Sequence, residues 1–399
     1  MAMNTNPTTQ RLFTFEFYAL CLIIVMAFCN VSVFYSFYYY LSVIEIPVVW
    51  RGFLVGLEPM AAFALRLFVL PWLHVRNAYA IVMASLVLLI VVSCSYLWVT
   101  TVAGMIVLRI IHGAVFVLLT SAGISLMVQF IPTEKSGQGF SILTVATMIP
   151  YAIIPPTTEF LLPHVRNAAD IYAGVSVFSL AGIGLMIAAR GRILSAVSRM
   201  DAVMMRRSTT AEILDNFKQR AVVILLLSML FLYLAHATSF YFIKNLSVQT
   251  GVGNVGVFFI VSMVTMIAVR IFGATVFDRL NKIRLIMPVL FLLMLCLIAL
   301  PNTGNLSVYY LLAAVYGGCM GVALPILNAL IFSASPPSLR GLNTNMTLFT
   351  MDMGYFITPY LGGTLITLGA DFGTLFYTAG GFTLLCLSMI ITLRYRNKG

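Results

Sequence analysis

The chain has 399 residues, of which 61% are hydrophobic and 9% charged, and its formal net charge at pH 7 is +11. Because soluble domains carry about 25% charged residues, this composition excludes a soluble protein and makes lipid the expected solvent for most of the chain. A basic chain can also indicate nucleic-acid binding, but the positions of the basic residues, described below, explain the charge without it.

Apolar segments of transmembrane length recur along the whole chain. A helix that crosses a bilayer needs about 20 mainly apolar residues. The six predicted spans of the first half cover 14–42, 48–72, 78–99, 102–130, 139–162 and 168–189, and those of the second half cover 220–243, 253–276, 284–301, 305–333, 342–367 and 371–393. The sequence therefore predicts an all-α membrane protein with twelve transmembrane helices.

An even number of spans places both chain ends on the same side of the membrane. The segments on that side contain most of the Lys and Arg residues, including a cluster within 190–220, whereas the other side has only Arg51, Arg166 and Lys244. Basic residues concentrate on the cytoplasmic side of membrane proteins. Both termini are therefore predicted to be cytoplasmic, and the positive charge needs no nucleic-acid partner.

The predicted spans fall into two halves of six. We predict an N-terminal six-helix bundle at 1–189, a cytoplasmic linker at 190–219 and a C-terminal six-helix bundle at 220–399. The linker is interpreted as a connection along the inner surface, and a regulatory element is the alternative. An internal match supports two pseudo-symmetric halves, since Arg66 and Arg270 each lie near the end of an apolar helix and are followed eight residues later by a short polar turn. Such repeats are typical of secondary transporters.

Ionisable side chains inside the predicted spans are the first candidates for a functional site. A charged group in hydrocarbon is energetically expensive, and such residues usually face the bundle interior or a water-filled cavity. They lie in the second, fourth, seventh and eleventh spans: Glu58, Arg109, His112, His236 and Asp352. The third, ninth and twelfth spans contain no charged residue away from their ends, as expected of helices that face lipid.

Glu58 and Arg109 are expected to form a pair. Counting along their helices at 1.5 Å per residue places both about 10–15 Å below the same membrane surface. Because a carboxylate in apolar surroundings binds a proton more readily than in water, Glu58 is a candidate for proton coupling. Arg109 is a candidate for binding an anionic group of a substrate. A permanent structural ion pair is the alternative for both residues.

Asp352, His112 and His236 complete this set. Asp352 is a second candidate for proton coupling, because no basic residue lies at a similar depth in the second half. His112 shares a helix face with Arg109, and its titration range suits proton coupling; packing against a carbonyl group is the alternative. His236 is a candidate for substrate binding, with an interhelical hydrogen bond as the alternative.

Two further groups of residues lie towards the ends of the spans. The aromatic run 34–40 ends the first span, where interfacial aromatic residues are common. Rings that face inward would instead bind a planar solute, so Tyr35 and Tyr38 are also substrate-binding candidates. The residues near the cytoplasmic ends of the second and eighth spans are predicted to form an inner gate: Arg66, Arg270, Asp278 and Arg279.

Several motifs resemble those of the major facilitator superfamily. The segment from Arg109 to Gly113 is similar to its Arg-x-x-x-Gly signature, 270–279 to the turn after its eighth helix, and 354–359 to the glycine-rich run of its eleventh helix. The bacterial branch that exports drugs and small metabolites is the most similar. The resemblance implies two six-helix halves around a central cavity, alternating access, and a monomeric multi-pass protein of the bacterial inner membrane.

Motifs for other chemistries are absent from the sequence. It contains no phosphate-binding loop and no cysteine–histidine cluster with metal-ligand spacing, so we expect no enzyme activity, no metal and no cofactor. The predicted function is proton-coupled secondary transport, with export of a small amphipathic organic solute as the first hypothesis. Import of a small metabolite by proton symport is the alternative, and a membrane receptor or enzyme without transport is the alternative of a different class. The expected partners are the solute, protons and the lipid bilayer.

Overall fold

The structure is a computed structural model that describes residues 13–69, 75–128, 130–131, 136–198, 218–335 and 340–396, and its regular secondary structure within these ranges is helical. The first half contains α1 (Phe15–Ser32), α2 (Phe37–Val43), α3 (Val48–Val69), α4 (Val75–Ser95), α5 (Val102–Val128), α6 (Ser136–Leu161), α7 (Ala168–Gly174) and α8 (Ser176–Ser198). The second half contains α9 (Arg220–Thr250), α10 (Val255–Arg279), α11 (Lys282–Ala299), α12 (Leu306–Ala334), α13 (Arg340–Thr367) and α14 (Phe372–Arg396).

These helices run from one end of the bundle to the other twelve times, and we call each passage a crossing. The first crossing consists of α1 and α2, joined by the 3₁₀ turn Val33–Ser36, and the sixth consists of α7 followed directly by α8. Within the described residues, eleven crossings are long and apolar enough to span a membrane. The remaining one is α13, which packs against α3 and α9. Protein atoms rather than lipid surround much of α13, which relaxes the requirement for an apolar surface. The predicted fold class is confirmed.

Two predicted boundaries differ from the observed helices. The helix α8 extends to Ser198, and therefore covers 190–198 of the predicted linker, while 199–217 lies outside the described residues. The helix α10 extends to Arg279, so Asp278 lies in its last turn rather than in a polar turn. The division of the chain into two bundles and a linker stays a prediction.

The helix pairings of the first half recur in the second. In the first half, α1 packs against α5, α6 and α8, α4 packs against α5 and α8, and α3 packs against α5. In the second half, α9 packs against α12, α13 and α14, α11 packs against α12 and α14, and α10 packs against α12. Each helix pair of the first half therefore corresponds to the pair that lies six crossings later in the second half. The twofold arrangement that the internal match predicts is therefore present.

The halves meet along two main helix pairs. The helix α3 packs along α13, and α6 packs along α10, while the end of the first crossing contacts α9. We call the side of the bundle that carries the start of α1 and the end of α14 the terminal face, and the other side the opposite face. The second and eighth crossings, α3 and α10, both begin at the opposite face and run towards the terminal face.

Candidate functional site

The two halves are in backbone contact near the opposite face. A Cβ atom at Gly52 in α3 would lie 2.5 Å from Cα of Gly363 in α13, and one at Gly256 in α10 would lie 2.8 Å from Cα of Pro156 in α6. Glycine permits such close approach of two helices in a membrane. The interface between the halves is therefore closed at this level on both helix pairs.

An ion pair joins the halves at the same end of the bundle. Lys244 Nζ in α9 lies 2.7 and 2.5 Å from the two carboxylate oxygens of Glu159 in α6, and the side chains are only 14% and 12% exposed. The Tyr35 hydroxyl donates a hydrogen bond of 2.5 Å to the same carboxylate. The ammonium group also lies 5.6 Å from the ring centroid of Tyr39. We call Glu159 and Lys244 the opposite-face pair. With the two tyrosines, this pair closes the interface beside the glycine contacts.

The predicted substrate residues Tyr35 and Tyr38 lie in this closed region. Both are buried. Besides its bond to Glu159, Tyr35 makes an edge contact with Phe259 of the second half. Tyr38 lies against Phe242 and Phe372, also of the second half. Tyr35 and Tyr38 thus pack between the halves rather than towards lipid, whereas Phe34, Phe37 and Tyr40 pack against Tyr172 of the first half.

A second ion pair joins the halves further towards the terminal face. Arg66 Nε in α3 lies 2.7 Å from Asp352 Oδ2 in α13, and the side chains are 15% and 10% exposed. Arg66 follows Gly52 by 14 residues, which is about 21 Å along the helix. The rings of Phe63 and Phe349 lie 4.3 Å apart on the same helix pair. The basic partner of Asp352 therefore comes from the first half, and the second half supplies none among the described residues.

The expected pair between Glu58 and Arg109 is present inside the first half. Arg109 Nη2 lies 3.4 Å from Glu58 Oε2, and both side chains are buried. Arg109 also donates to the carbonyl oxygens of Leu54 and Val55, at 3.1 and 3.0 Å. The Val55 carbonyl lacks its usual helical donor because the residue four positions later is Pro59, which has no N–H. The guanidinium group therefore repairs a proline-induced gap in α3.

Two other features hold this pair in place. The Arg109 guanidinium lies over the rings of Phe34 and Phe37, 5.0 and 4.6 Å from their centroids. Gly113, the last residue of the Arg-x-x-x-Gly segment, faces the backbone of Glu58 so closely that a Cβ there would lie only 2.2 Å from its carbonyl oxygen. The signature thus lets α5 pack on α3 at the ion pair.

His112 bonds to a tyrosine in the turn after α4, and His236 bonds to a tyrosine of α12. His112 Nδ1 lies 3.1 Å from the hydroxyl of Tyr96, and its Nε2 has no hydrogen-bond partner in the described part of the chain. His236 Nδ1 lies 2.5 Å from the hydroxyl of Tyr316. The contact of His236 is an interhelical hydrogen bond, the alternative that the sequence left open for this residue.

An aromatic cluster lies around His236 at the interface between the halves. The first half contributes Tyr151, whose ring lies 5.4 Å from that of Phe240. The second half contributes Tyr355, which lies 5.6 Å from Phe240 and makes an edge contact with His236 at 6.1 Å. Tyr241 completes the cluster at 5.8 Å from Tyr355. Hydroxyl groups and ring faces together suit an amphipathic solute.

The predicted gate residue Arg270 also lies between the halves. Its Nη1 lies 2.9 Å from the thioether sulfur of Met148 in α6. Its Nε is buried and has no hydrogen-bond partner among the residues that the structure describes. The side chains of Asp278 and Arg279, the other predicted gate residues of α10, lie outside the described part of the chain.

Sequence reasoning missed the opposite-face pair and most of the aromatic cluster. Glu159 lies close to the predicted end of the fifth span, where a charged residue is unremarkable, and Lys244 lies just beyond the seventh. The local signals for the cluster are that Phe240 follows His236 by one helical turn and that Tyr241 lies next to Phe240. No group of three potential metal ligands occurs within the described ranges.

Two similar helical halves that meet at buried ion pairs and an aromatic cluster define a multi-pass membrane transporter. The family model of the Major Facilitator Superfamily matches residues 20–351, and the chain belongs to this family. Members of this family are transporters of small-molecule solutes rather than enzymes. The predictions of a small-molecule solute as partner and of a transporter rather than an enzyme are therefore confirmed.

The comparison with solved structures agrees with the family. A crystal structure of the nucleoside transporter NupG is 14% identical in sequence, with a TM-score of 0.71 over 94% of this chain and 98% of that chain. A crystal structure of a mutant of NupG is 12% identical, with a TM-score of 0.69 over 94% of this chain and 99% of that chain. At such identity the likeness shows the fold. No curated protein matches the sequence.

Proposed function

We propose that the protein is a proton-coupled secondary transporter that works by alternating access, with Asp352 as its main coupling carboxylate. The observation that carries the proposal is the ion pair between Arg66 and Asp352, which joins the two halves in a nearly solvent-free position. A proton on Asp352 removes one charge of this pair. Protonation and contact between the halves are therefore linked, as coupling requires.

The size of this linkage follows from the chemistry of the bond. A hydrogen bond to a charged partner contributes about 1.5–3 kcal/mol, against about 1 kcal/mol for a neutral one. Protonation of Asp352 therefore weakens the contact by about 0.5–2 kcal/mol, which changes the equilibrium between two conformations by about 2- to 30-fold. A shift of this size is enough to couple a proton to a conformational cycle without locking the protein in one state.

The two ion pairs between the halves supply the alternation in this proposal. Opening towards the opposite face separates Glu159 from Lys244, and opening towards the terminal face separates Arg66 from Asp352. In the structure both pairs are formed. Arg66 and Arg270, with Asp278 and Arg279, act as the gate towards the terminal face.

The charges of the first half have a different place in the proposal. The backbone bonds and ring contacts of Arg109 support its role as a brace within the first half, rather than as a residue that binds solute. Glu58 is the second candidate for proton coupling, with His112 as the neighbouring group that relays the proton. Neutralising Glu58 and Asp352 separately distinguishes the two carboxylates.

The aromatic cluster supports a small amphipathic organic solute with a planar part. His236 offers a polar contact beside the rings of Tyr355 and Tyr316. Nucleosides also have a planar base, and the similar structures are of a nucleoside transporter, so nucleosides belong in the panel of test solutes.

Direction and location complete the proposal. The resemblance to the exporting branch favours export driven by proton entry, and import by proton symport is the alternative. The excess of basic residues at the terminal face supports a cytoplasmic position for both termini in a bacterial inner membrane. We propose that the monomer is the transporting unit, because one chain contains both halves.

Proteoliposomes with an imposed pH gradient test the function. Wild-type protein is expected to accumulate at least one member of a panel of planar organic solutes, in a direction that distinguishes export from import. Asp352→Asn is expected to lose gradient-driven accumulation but to retain exchange of labelled for unlabelled solute. Asp371→Asn, which changes an exposed carboxylate just before α14, is the matched control and should accumulate solute like wild type. Accumulation by Asp352→Asn at the wild-type level would refute coupling through Asp352.

A further inference from the structure

Among the described arginines inside the membrane helices, Arg270 differs from Arg66 and Arg109. Arg66 and Arg109 each face a carboxylate, at 2.7 and 3.4 Å. Arg270 makes no ion pair with the part of the chain that the structure describes, and its Nη1 faces only the sulfur of Met148. A thioether is a weak hydrogen-bond acceptor.

Among the described residues, no carboxylate compensates the charge of Arg270. Burial of a charged group is expensive unless it is paired and hydrogen-bonded, and within a membrane protein an unpaired charge marks a functional position. The Nε atom is buried and lacks an acceptor within the described ranges. A planar guanidinium with free donors fits the two oxygens of a carboxylate or phosphate group.

Arg270 also lies beside the aromatic cluster. Met148, which its Nη1 contacts, lies one helical turn before Tyr151 in α6, and the Tyr151 ring packs against Phe240 of the cluster. Within the cluster, His236 stacks on Tyr316 with a centroid distance of 6.1 Å. An anion bound at Arg270 would therefore have aromatic rings within reach of its organic part. Met148, which now occupies the space in front of Nη1, is unbranched and flexible and can move aside.

We infer that Arg270 is a binding site for the anionic group of an organic solute, a carboxylate or phosphate attached to a planar body. This inference rests on the proposed function, because it assigns the solute class to the same central site. The guanidinium pairs with the anion while the rings around His236 contact its planar part. Arg270 then belongs to the solute site as well as to the gate.

Thermal unfolding of the full-length protein in a non-ionic detergent tests this assignment. The probes are benzoate and phenyl phosphate, with benzamide as the neutral analogue and benzylamine as the cationic one. Ligands that bind only the folded state raise the unfolding temperature with concentration. Benzoate or phenyl phosphate is expected to raise it in wild-type protein, and the neutral and cationic analogues are not.

The variants locate the site. Arg270→Gln is expected to weaken anion binding by about 10- to 100-fold, the equivalent of one charge-assisted hydrogen bond. Arg270→Lys keeps the charge and should retain part of the affinity. Arg284→Gln removes an exposed arginine of α11 and should leave anion binding unchanged.

Three results would overturn the inference: no stabilisation by either anion, equal stabilisation by benzamide, or wild-type anion affinity in Arg270→Gln. If Arg270→Gln does not fold, the comparison of benzoate with benzamide in wild-type protein and in Arg270→Lys decides. Binding is measured without a gradient, so loss of transport and loss of anion binding are separate outcomes. Proton-coupled flux of neutral solutes only, with no anion binding, would remove this inference and leave the proposed function intact.

Discussion

Replacement of Gly52 by alanine should open the interface at the opposite face. The new Cβ would lie 2.5 Å from Cα of Gly363 and 2.5 Å from the carbonyl oxygen of Pro359. Both are backbone atoms of α13, so neither can rotate away, and ordinary contact distances for such atoms are about 3.5–4.0 Å. The two helices must therefore separate by about 1–1.5 Å at this level.

The energetic effect is that of an overpacked helix interface. Overpacking of this kind costs about 1–3 kcal/mol, and the cost applies only to conformations in which α3 and α13 touch at these glycines. The equilibrium should therefore shift by about 5- to 150-fold towards conformations that are open at the opposite face. If alternating access operates, the same shift should slow the complete transport cycle.

A distance measurement across the opposite face tests this effect. Val43 at the end of α2 and Val248 near the end of α9 are both exposed, and cysteines there, in a background without the six native cysteines, accept spin labels. The distance distribution should shift to longer values in Gly52→Ala. Gly174→Ala is the matched control, because its Cβ would meet nothing within 4 Å. An unchanged distribution in Gly52→Ala would refute the argument from helix contact.

Three further perturbations follow from the ion pairs and from one helix cap. Glu159→Gln removes the charge from the opposite-face pair and should lengthen the same spin-label distance, through a loss of about 0.5–2 kcal/mol; an unchanged distance would show that the glycine contacts alone hold this face. Arg109→Gln leaves Glu58 buried without its partner and should destabilise the protein by about 3–5 kcal/mol, measured by thermal unfolding. The double variant with Glu58→Gln should recover part of this loss if the two side chains form a brace. The pKa of Asp371 lies below its usual value because the Thr374 hydroxyl and backbone N–H donate hydrogen bonds to it. A lowered pKa in the folded state gives stability that is present above the ordinary carboxyl pKa and is lost as the pH falls through the folded-state pKa. The difference in unfolding temperature between wild type and Asp371→Asn should therefore shrink below about pH 4. A difference that stays constant with pH would contradict the role of Asp371 as a helix cap.

The membrane crossings are a property of local sequence, and they were predictable for that reason. Each crossing needs its own run of apolar residues, so the first predicted span, 14–42, matches the observed helices from Phe15 to Val43 closely. The pair between Glu58 and Arg109 was predictable as well, because depth in a membrane can be counted along each helix. Both inferences need only one dimension, the distance along the chain.

The contacts between the halves depended on the tertiary structure. Arg66 and Asp352 are 286 residues apart, and Glu159 and Lys244 lie on helices whose rotation about their axes the sequence does not reveal. Such pairs form only when two six-helix bundles dock in one particular orientation, which is set by helix packing and not by hydropathy. For the same reason, Asp352 had no visible partner in its own half, and Arg270 could not be distinguished from an ordinary gate residue. The sequence by itself determined which residues enter the membrane, whereas only the docking of the two halves decided which of those charges meet.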